Sequence, residues 1–236
     1  MSETPVHQES VETASQRFIE RPTGWLVEDA YRLGAVPLGA GVLAGVFGFG
    51  LLSACLVVAA VLVAAFFRNP KRRVPPGEAT VVAPADGRVI AVGEVPGEKG
   101  DKQLRIGIFL SVLNVHVNRM PLAGRVVKIE RGGADYHAAF RAEAGERNVY
   151  CRMHYETPEG LRLSVTQITG WIARRIVCHP SVGEWVARGE RFGLIRFGSR
   201  TDVTLPLDSR VRVANGDRVR GGVSVLAELP ERGGVK

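Results

Sequence analysis

From Leu33 to Phe67 the chain runs 35 positions without a charged side chain, bracketed by Arg32 and by Arg68, Lys71, Arg72 and Arg73. Core helices rarely extend so far without a charge, so the run reads as a membrane segment. One straight helix of that length would span about 52 Å, against about 30 Å of hydrocarbon. Two helices would have about 16 residues each, just under the usual spanning length. Gly41, Gly45, Gly48 and Gly50 lie where a hairpin would turn. A hairpin or re-entrant pair is therefore favoured over a single span, with both basic-flanked ends on the cytoplasmic side. No ionisable group lies inside the run, which suits an anchor and not a transport path.

Beyond residue 74 the pattern changes to short β-branched runs. They are Val81-Val82, Val89-Ile90, Leu104 to Leu110, Arg125 to Ile129, Leu161 to Ile168, Arg191 to Phe197, Val211 to Val213 and Val223 to Leu229. Gly, Pro, Asp and Asn separate them, which predicts a mainly β domain. Tyr136 to Ala144 is the one helical candidate within it.

Two internal echoes sharpen the architecture. Pro84-Ala85-Asp86-Gly87-Arg88-Val89-Ile90 resembles the segment from Pro121 to Val127, and Gly183 to Gly189 resembles Gly216 to Gly222. The second form, Gly-acid-x-Val-x-x-Gly, is similar to the turn-strand unit of lipoyl and biotinyl domains. The expected fold is a flattened β-barrel or sandwich with such repeats, preceded by an N-terminal helical membrane segment.

Charge divides the chain into the same parts. Formal net charge is +7, from 31 basic and 24 acidic residues. Residues 1–32 carry three Arg against six acids, an acidic leader at −3; residues 68–236 carry 28 basic against 18 acidic, or +10. The domains are thus a leader over 1–32, a membrane-inserted hairpin or single span over 33–67, and a β-rich domain over 68–236. A basic balance suits an anionic partner, nucleic acid or an acidic membrane surface. With no recognised nucleic-acid motif and an apolar anchor to explain, the membrane is preferred. Cys55, Cys151 and Cys178 form no CxxC pair, so a zinc ribbon or disulfide-stapled fold is not expected. His137, His154 and His179 share no metal-ligand spacing, and no metal is implied.

The chemistry centres on Arg191-Phe192-Gly193-Leu194-Ile195-Arg196-Phe197-Gly198-Ser199-Arg200. This is not a GxSxG elbow, because Phe197 and Thr201 stand where glycines are needed. A Gly-Ser bond has another use. Glycine leaves its carbonyl open to the following hydroxyl, and attack gives an ester. Elimination then converts the serine to dehydroalanine and on to a pyruvoyl cap at a new N-terminus. Such a ketone can form a Schiff base with an amine and act as an electron sink.

An ordered set of motifs resembles the phosphatidylserine decarboxylase proenzyme family in its short bacterial form. These are Phe67-Arg68-Asn69-Pro70, Pro84-Ala85-Asp86-Gly87, Phe109-Leu110-Ser111, the stretch Asn114 to Pro121 including His116, Glu146-Arg147-Asn148, Gln167-Ile168-Thr169-Gly170, and Arg191 to Ser199. The resemblance covers roughly residues 30–230. It implies a zymogen of phospholipid biosynthesis that cuts itself between Gly198 and Ser199, leaving a β chain 1–198 and an α chain 199–236. A covalent pyruvoyl group from Ser199 would be the cofactor, and phosphatidylserine would be decarboxylated to phosphatidylethanolamine at the cytoplasmic face of the cell membrane.

The resemblance also implies roles. His116 alternates with Val115 and Val117 and is the general acid/base candidate. Asp86 is implicated in self-cleavage. Longer members carry a second histidine where this chain has Arg119, which cannot act as a base. The processing base therefore stays open: His116 does both jobs, or another group does. Arg119, Arg147 and Arg174 are candidates for the lipid phosphate or carboxylate, since guanidinium suits both. Anionic phospholipid is the expected partner, nucleic acid is not, and a homo-oligomer is compatible with this reading. The rival reading is a non-enzymatic membrane adaptor with a lipoyl-like β domain. No coiled-coil heptads support it, and neither echoed turn carries a lysine for a swinging arm.

Overall fold

In a computed structural model of the chain, the apolar run is broken at Phe47–Phe49 into two antiparallel helices, α1 (Glu28–Val46) and α2 (Gly50–Phe66). The structure describes residues 26–230 apart from 98–99, 141–143, 172–174 and 197. Most of the acidic leader therefore lies outside the described residues, as does Arg174. Gly41 and Gly45 lie one turn apart on the α1 face against α2. A Cβ on Gly41 would stand 3.2 Å from that of Leu56, and one on Gly45 would stand 3.1 Å from Ser53 Oγ. Small residues at that spacing let two helices approach closely. No helix among the described residues is long and apolar enough to cross a membrane. The hairpin nonetheless exposes a bare apolar surface toward its tip, where Leu51 is 83% and Phe47 74% exposed.

The β domain opens with β1 (Thr80–Val82), β2 (Gly87–Pro96), β3 (Lys102–Leu110), β4 (Val117–Arg119) and β5 (Gly124–Gly132). A one-turn helix α3 (Ala144–Arg147) precedes β6 (Tyr150–Glu156), β7 (Arg162–Ile168), β8 (Ile176–Cys178), β9 (Trp185–Val186) and β10 (Arg191–Ile195). The chain closes with β11 (Ser199–Pro206), β12 (Arg210–Val211), β13 (Arg218–Val219) and β14 (Val225–Glu228). Eight strands form one curled sheet in the order β13-β2-β3-β11-β7-β6-β5-β9. Two three-stranded sheets, β1-β14-β12 and β4-β10-β8, complete the fold.

The domain is mainly β, as expected, but not a closed flattened barrel. The eight-stranded sheet ends at β13 and β9, which have two residues each and offer too little ladder for further pairing. The helix expected over Tyr136–Ala144 does not form over residues 136–140; among the described residues of that stretch only Ala144 is helical, as the first residue of α3.

The echoes become pairs in space. In one copy Gly87 and Arg88 pair with Val219 and Arg218; in the other Gly124 and Arg125 pair with Val186 and Trp185. The hydrogen bonds repeat as well: Val89 N–H donates to Asp217 O, and Val126 N–H to Glu184 O. Asp217 caps Ala214 N–H as Glu184 caps Ser181 N–H. Even the ladder irregularity recurs, between Val89 and Ala91 in β2 and between Val126 and Lys128 in β5. The sheet thus reads as two four-stranded halves, β13-β2-β3-β11 and β9-β5-β6-β7, meeting at the β11–β7 ladder.

The core lies on one face of this sheet. Ile106, Ile108, Val126, Met153, Tyr155, Val165, Val203 and Leu205 pack there with Val81 and Leu226 of the small sheet. A second cluster joins the hairpin to the domain: Val27, Ala30, Phe66 and Phe67 pack on Val115, Val117 and Leu194. The base of the apolar hairpin is therefore fixed to the strands that lead into the Gly-Ser segment.

Candidate active site

Gly198 and Ser199 sit where β10 passes into β11. Gly198 has φ of +57°, a left-handed conformation that glycine adopts without Cβ penalty. Ser199 pairs with Leu110 at the end of the β11–β3 ladder. Alternation along β11 points Ser199, Thr201, Val203 and Leu205 to the core side and Arg200, Asp202 and Thr204 to the other. The Ser199 hydroxyl is buried and has no hydrogen-bond partner among the described residues. Buried hydroxyls are usually paired, and those of Tyr155 and Ser209 share this open state; Ser199 differs from them in following a glycine in a left-handed turn.

His116 lies just before β4, and its carbonyl accepts from Ile195 N–H at 3.3 Å, three residues ahead of Gly198. Its Nδ1 is 2.9 Å from the Asn114 carbonyl, and its Nε2 has no partner among the described residues. Burial lowers its pKa to about 4; the Asn114 bond opposes the shift and the Arg68 charge adds to it. The ring is therefore neutral at pH 7. A carbonyl can only accept, so Nδ1 carries the proton and Nε2 keeps its lone pair.

Asp86 is held elsewhere. Its Oδ2 takes Arg72 at 2.8 Å and its Oδ1 takes the Gly221 N–H at 2.7 Å. Neither Ser199 Oγ nor His116 Nε2 has a hydrogen bond to it or to the other, so no linked triad is present. Asp86 lies instead toward the opposite end of β4, where Arg119 N–H donates to Pro84 O at 2.8 Å. Arg119 donates to Gly189 O at 3.0 Å, Asn69 Oδ1 at 2.8 Å and Pro70 O at 2.9 Å. Burial and Arg72 lower its pKa while Asp86 raises it. The residue standing in place of a second histidine thus ties the segment after the hairpin to the β domain. Arg147 ends α3 with an exposed side chain, its Nε 3.8 Å from Asp135 Oδ2.

Sequence reasoning missed the polar groups buried around this segment. Gln167 Nε2 donates to Asn118 Oδ1 at 2.8 Å, and Asn118 Nδ2 to Thr201 Oγ1 at 3.4 Å. Gln167 Oε1 is buried without a partner. On the other face Arg200, 2% exposed, makes a bidentate pair with Asp202 at 2.6 and 2.9 Å. Two opposite charges at i and i+2 in an apolar strand were the available signal. An open trough of about 1130 Å³ crosses that face, lined by Arg105, Arg152, His154, Thr166 and Asp202; it contains none of Ser199, His116 or Asp86. Among the described residues no group of three His, Cys, Asp or Glu side chains is placed to hold a metal.

The family model for phosphatidylserine decarboxylase matches residues 59–227. A phosphatidylserine decarboxylase proenzyme of Geotalea daltonii is 43% identical over 192 residues, covering 80% of this chain and 90% of the relative. One from Symbiobacterium thermophilum is 47% identical over 182 residues, covering 76% and 85%. Another from Mycolicibacterium smegmatis is 46% identical over 171 residues, covering 70% and 74%. These matches overturn the adaptor reading, because each of these relatives is named as an enzyme precursor.

Proposed function

The chain belongs to the phosphatidylserine decarboxylase family and is a decarboxylase, and from that premise we propose that it converts phosphatidylserine to phosphatidylethanolamine on a pyruvoyl group made from its own Ser199. The observation that carries this reading is the buried, unpartnered Ser199 hydroxyl directly after a glycine in a left-handed turn. Ser199 Oγ attacks the Gly198 carbonyl carbon, and the peptide becomes an ester. Loss of the Ser199 Cα proton expels Gly198 as a carboxylate and leaves dehydroalanine, which takes up water and releases ammonia as the ketone forms. A pyruvoyl ketone at residue 199 would supply an imine-forming carbonyl for the substrate amine and a sink for the electron pair freed with CO₂.

The chain's own groups fit this sequence. The neutral His116 ring offers a lone pair at Nε2 to take and return a proton. Of the two described arginine candidates, Arg147 has its guanidinium exposed beside Asp135, open to a lipid phosphate, whereas Arg119 is engaged by three carbonyl-type oxygens. The cut pieces stay together because β11 pairs along its whole length with β3, and with β7 from Arg200 to Thr204. The α chain also supplies β12 and β14 to the sheet of β1.

The same reading places the hairpin in the cytoplasmic leaflet of the cell membrane as a re-entrant anchor. Arg68, Lys71 and Arg73 at its base then meet anionic headgroups, each worth about 1 kcal/mol. Intact mass with a lipid decarboxylation assay on the same sample tests the reading. Active protein should separate into chains of 198 and 38 residues, the remainder of 236, and Ser199→Ala should stay whole and inactive. Activity in a chain that remains uncut would sink the pyruvoyl reading.

A further inference from the structure

Asn148, from the motif at 146–148, and Gly170, from the motif at 167–170, take no part in the chemistry above, yet both bear on the scissile carbonyl. Ile168 pairs with Arg200 across the β7–β11 ladder and with Tyr150 across the β7–β6 ladder. Two residues further along the same register, Gly170 falls opposite Gly198. A Cβ built on Gly170 would lie 2.3 Å from the Gly198 carbonyl oxygen, 3.2 Å from its carbon, and 3.2 Å from Ala139 Cβ. Only a residue without Cβ lets the two backbones come this close.

Asn148 holds Gly170 in that place. It is fully buried, and both its amide hydrogens are used: one donates to Thr169 O at 2.8 Å and the other to His137 O at 2.8 Å. Its oxygen accepts from His137 N–H at 2.8 Å. Thr169 N–H and Oγ1 both donate to Val149 O, each at 3.0 Å. The loop through His137, the turn at Asn148 and the end of β7 are thereby one hydrogen-bonded unit, with the Gly198 carbonyl resting against it.

We infer that Asn148 and Gly170 are positioning residues for scission of the Gly198–Ser199 bond, an inference that rests on the self-cleavage reading above. In the first step the Ser199 Oγ–C bond forms and the Gly198 C–N bond breaks. The hydroxyl proton ends on the freed amine, so the shift is balanced without a co-reactant. Its rate depends on where the carbonyl carbon sits relative to Oγ, and the Asn148–Gly170 unit fixes that carbon. Neither residue is hydrogen-bonded to Oγ, so each acts through the placement of the carbonyl.

The test follows scission of freshly synthesised full-length chain by intact mass. Gly170→Ala should cut about a hundredfold more slowly, the scale of a misplacement of about 1 Å. Asn148→Asp, which cannot donate to both Thr169 O and His137 O, should also slow scission. The thermal midpoint of each variant, measured on the uncut Ser199→Ala background, separates positioning from loss of fold. Adding Ala139→Gly to Gly170→Ala should not restore the rate, because the clash with the carbonyl oxygen remains. Wild-type scission rates in folded Gly170→Ala, or full rescue by Ala139→Gly, overturn the assignment. Where Gly170→Ala does not fold, the decision passes to Asn148→Asp, and a rate that drops no more than its folded fraction overturns it. A wild-type chain that never separates fails the self-cleavage reading itself, a different result from either.

Discussion

His116 packs against Phe66, with ring centroids 4.3 Å apart and planes inclined by 32°. Phe66 is the last residue of α2, so the base of the apolar hairpin forms part of the wall that keeps water from the histidine. The apolar hairpin and the acid/base candidate are thereby one packing unit. Phe66→Ala should open the ring to water and raise the His116 pKa from about 4 toward its ordinary 6.5. Proton NMR titration of the ring in Ser199→Ala protein reads this directly. An unchanged midpoint would show that burial from other neighbours governs the shift. Truncating this buried ring should also cost about 3 kcal/mol of stability.

The same lowered pKa sets a pH dependence of stability. Between the ordinary value of 6.5 and the folded value of about 4, the unfolded chain binds a proton at His116 that the folded chain does not. Stability from this group is complete above pH 6.5 and is lost as pH falls through about 4. The full span is roughly 3 kcal/mol, from about 1.4 kcal/mol per pKa unit. Urea unfolding of Ser199→Ala at several pH values should fall in midpoint across that window. In the His116→Asn form the fall should be shallower, and equal slopes would refute the linkage.

Much of this architecture was legible in the sequence because turns carry local signatures. The Gly-acid-x-Val units at 183–189 and 216–222 announced two equivalent turns, and the structure pairs them with the two equivalent starts at Gly87 and Gly124. Short β-branched runs likewise predicted β3, β7 and β10, whereas β11, with Ser199, Arg200, Thr201 and Asp202 at its start, was not among them. Sheet closure was not legible, since it depends on strands too short to show periodicity, such as β9 and β13. At the site, Gly198 and Ser199 stood out through local chemistry. The relation of Asp86 to His116 did not, because it depends on which end of β4 each occupies. Asn148 was visible only as a motif member. Its work is done through contacts with His137 and Thr169, 11 and 21 residues away.

Arg200 and Asp202 form the most enclosed ion pair on the far side of the Ser199 strand. Arg105 approaches Asp202 at 3.9 Å, and a Cβ on Gly107 would stand 3.0 Å from both Arg200 Nη2 and Asp202 Oδ1. Asp202→Ala leaves a guanidinium buried without its partner and should destabilise the chain by about 3–5 kcal/mol. The double change Arg200→Met with Asp202→Leu removes both charges and should recover much of that loss. Urea unfolding of the four forms, all carrying Ser199→Ala, closes the cycle. An Asp202→Ala cost below about 1 kcal/mol would mean that Arg200 finds water or another acceptor.

Arg119→His would give this chain the second histidine of its longer relatives, and the structure argues that processing should not improve. An imidazole cannot reach Gly189 O, Asn69 Oδ1 and Pro70 O together, so the chain after the hairpin loses its tie to β4. Asp86 would also lose a neighbouring positive charge while keeping Arg72 and the Gly221 N–H. The expected result is slower scission and a lower thermal midpoint, with Arg119→Lys intermediate, because an ammonium lacks the planar fork of guanidinium. Faster scission in Arg119→His would show instead that this position lacks a base and that the hydrogen bonds of Arg119 are dispensable.

Membrane attachment should depend on the hairpin tip more than on its base. Phe47 and Leu51 flank the turn with bare side chains, while Phe66 and Phe67 are covered by the β domain. An Asp at a membrane-buried helix position costs about 3 kcal/mol. Phe47→Asp and Leu51→Asp together should therefore release the protein from vesicles in flotation assays, with scission intact because neither residue touches the Gly-Ser segment. Charge reversal at the base, Lys71→Glu with Arg73→Glu, should weaken binding only to anionic vesicles, and raised salt should mimic it. If the tip variants float as the wild type does, the hairpin is not the anchor. If only the base variants detach, attachment is electrostatic and the apolar surface serves another contact.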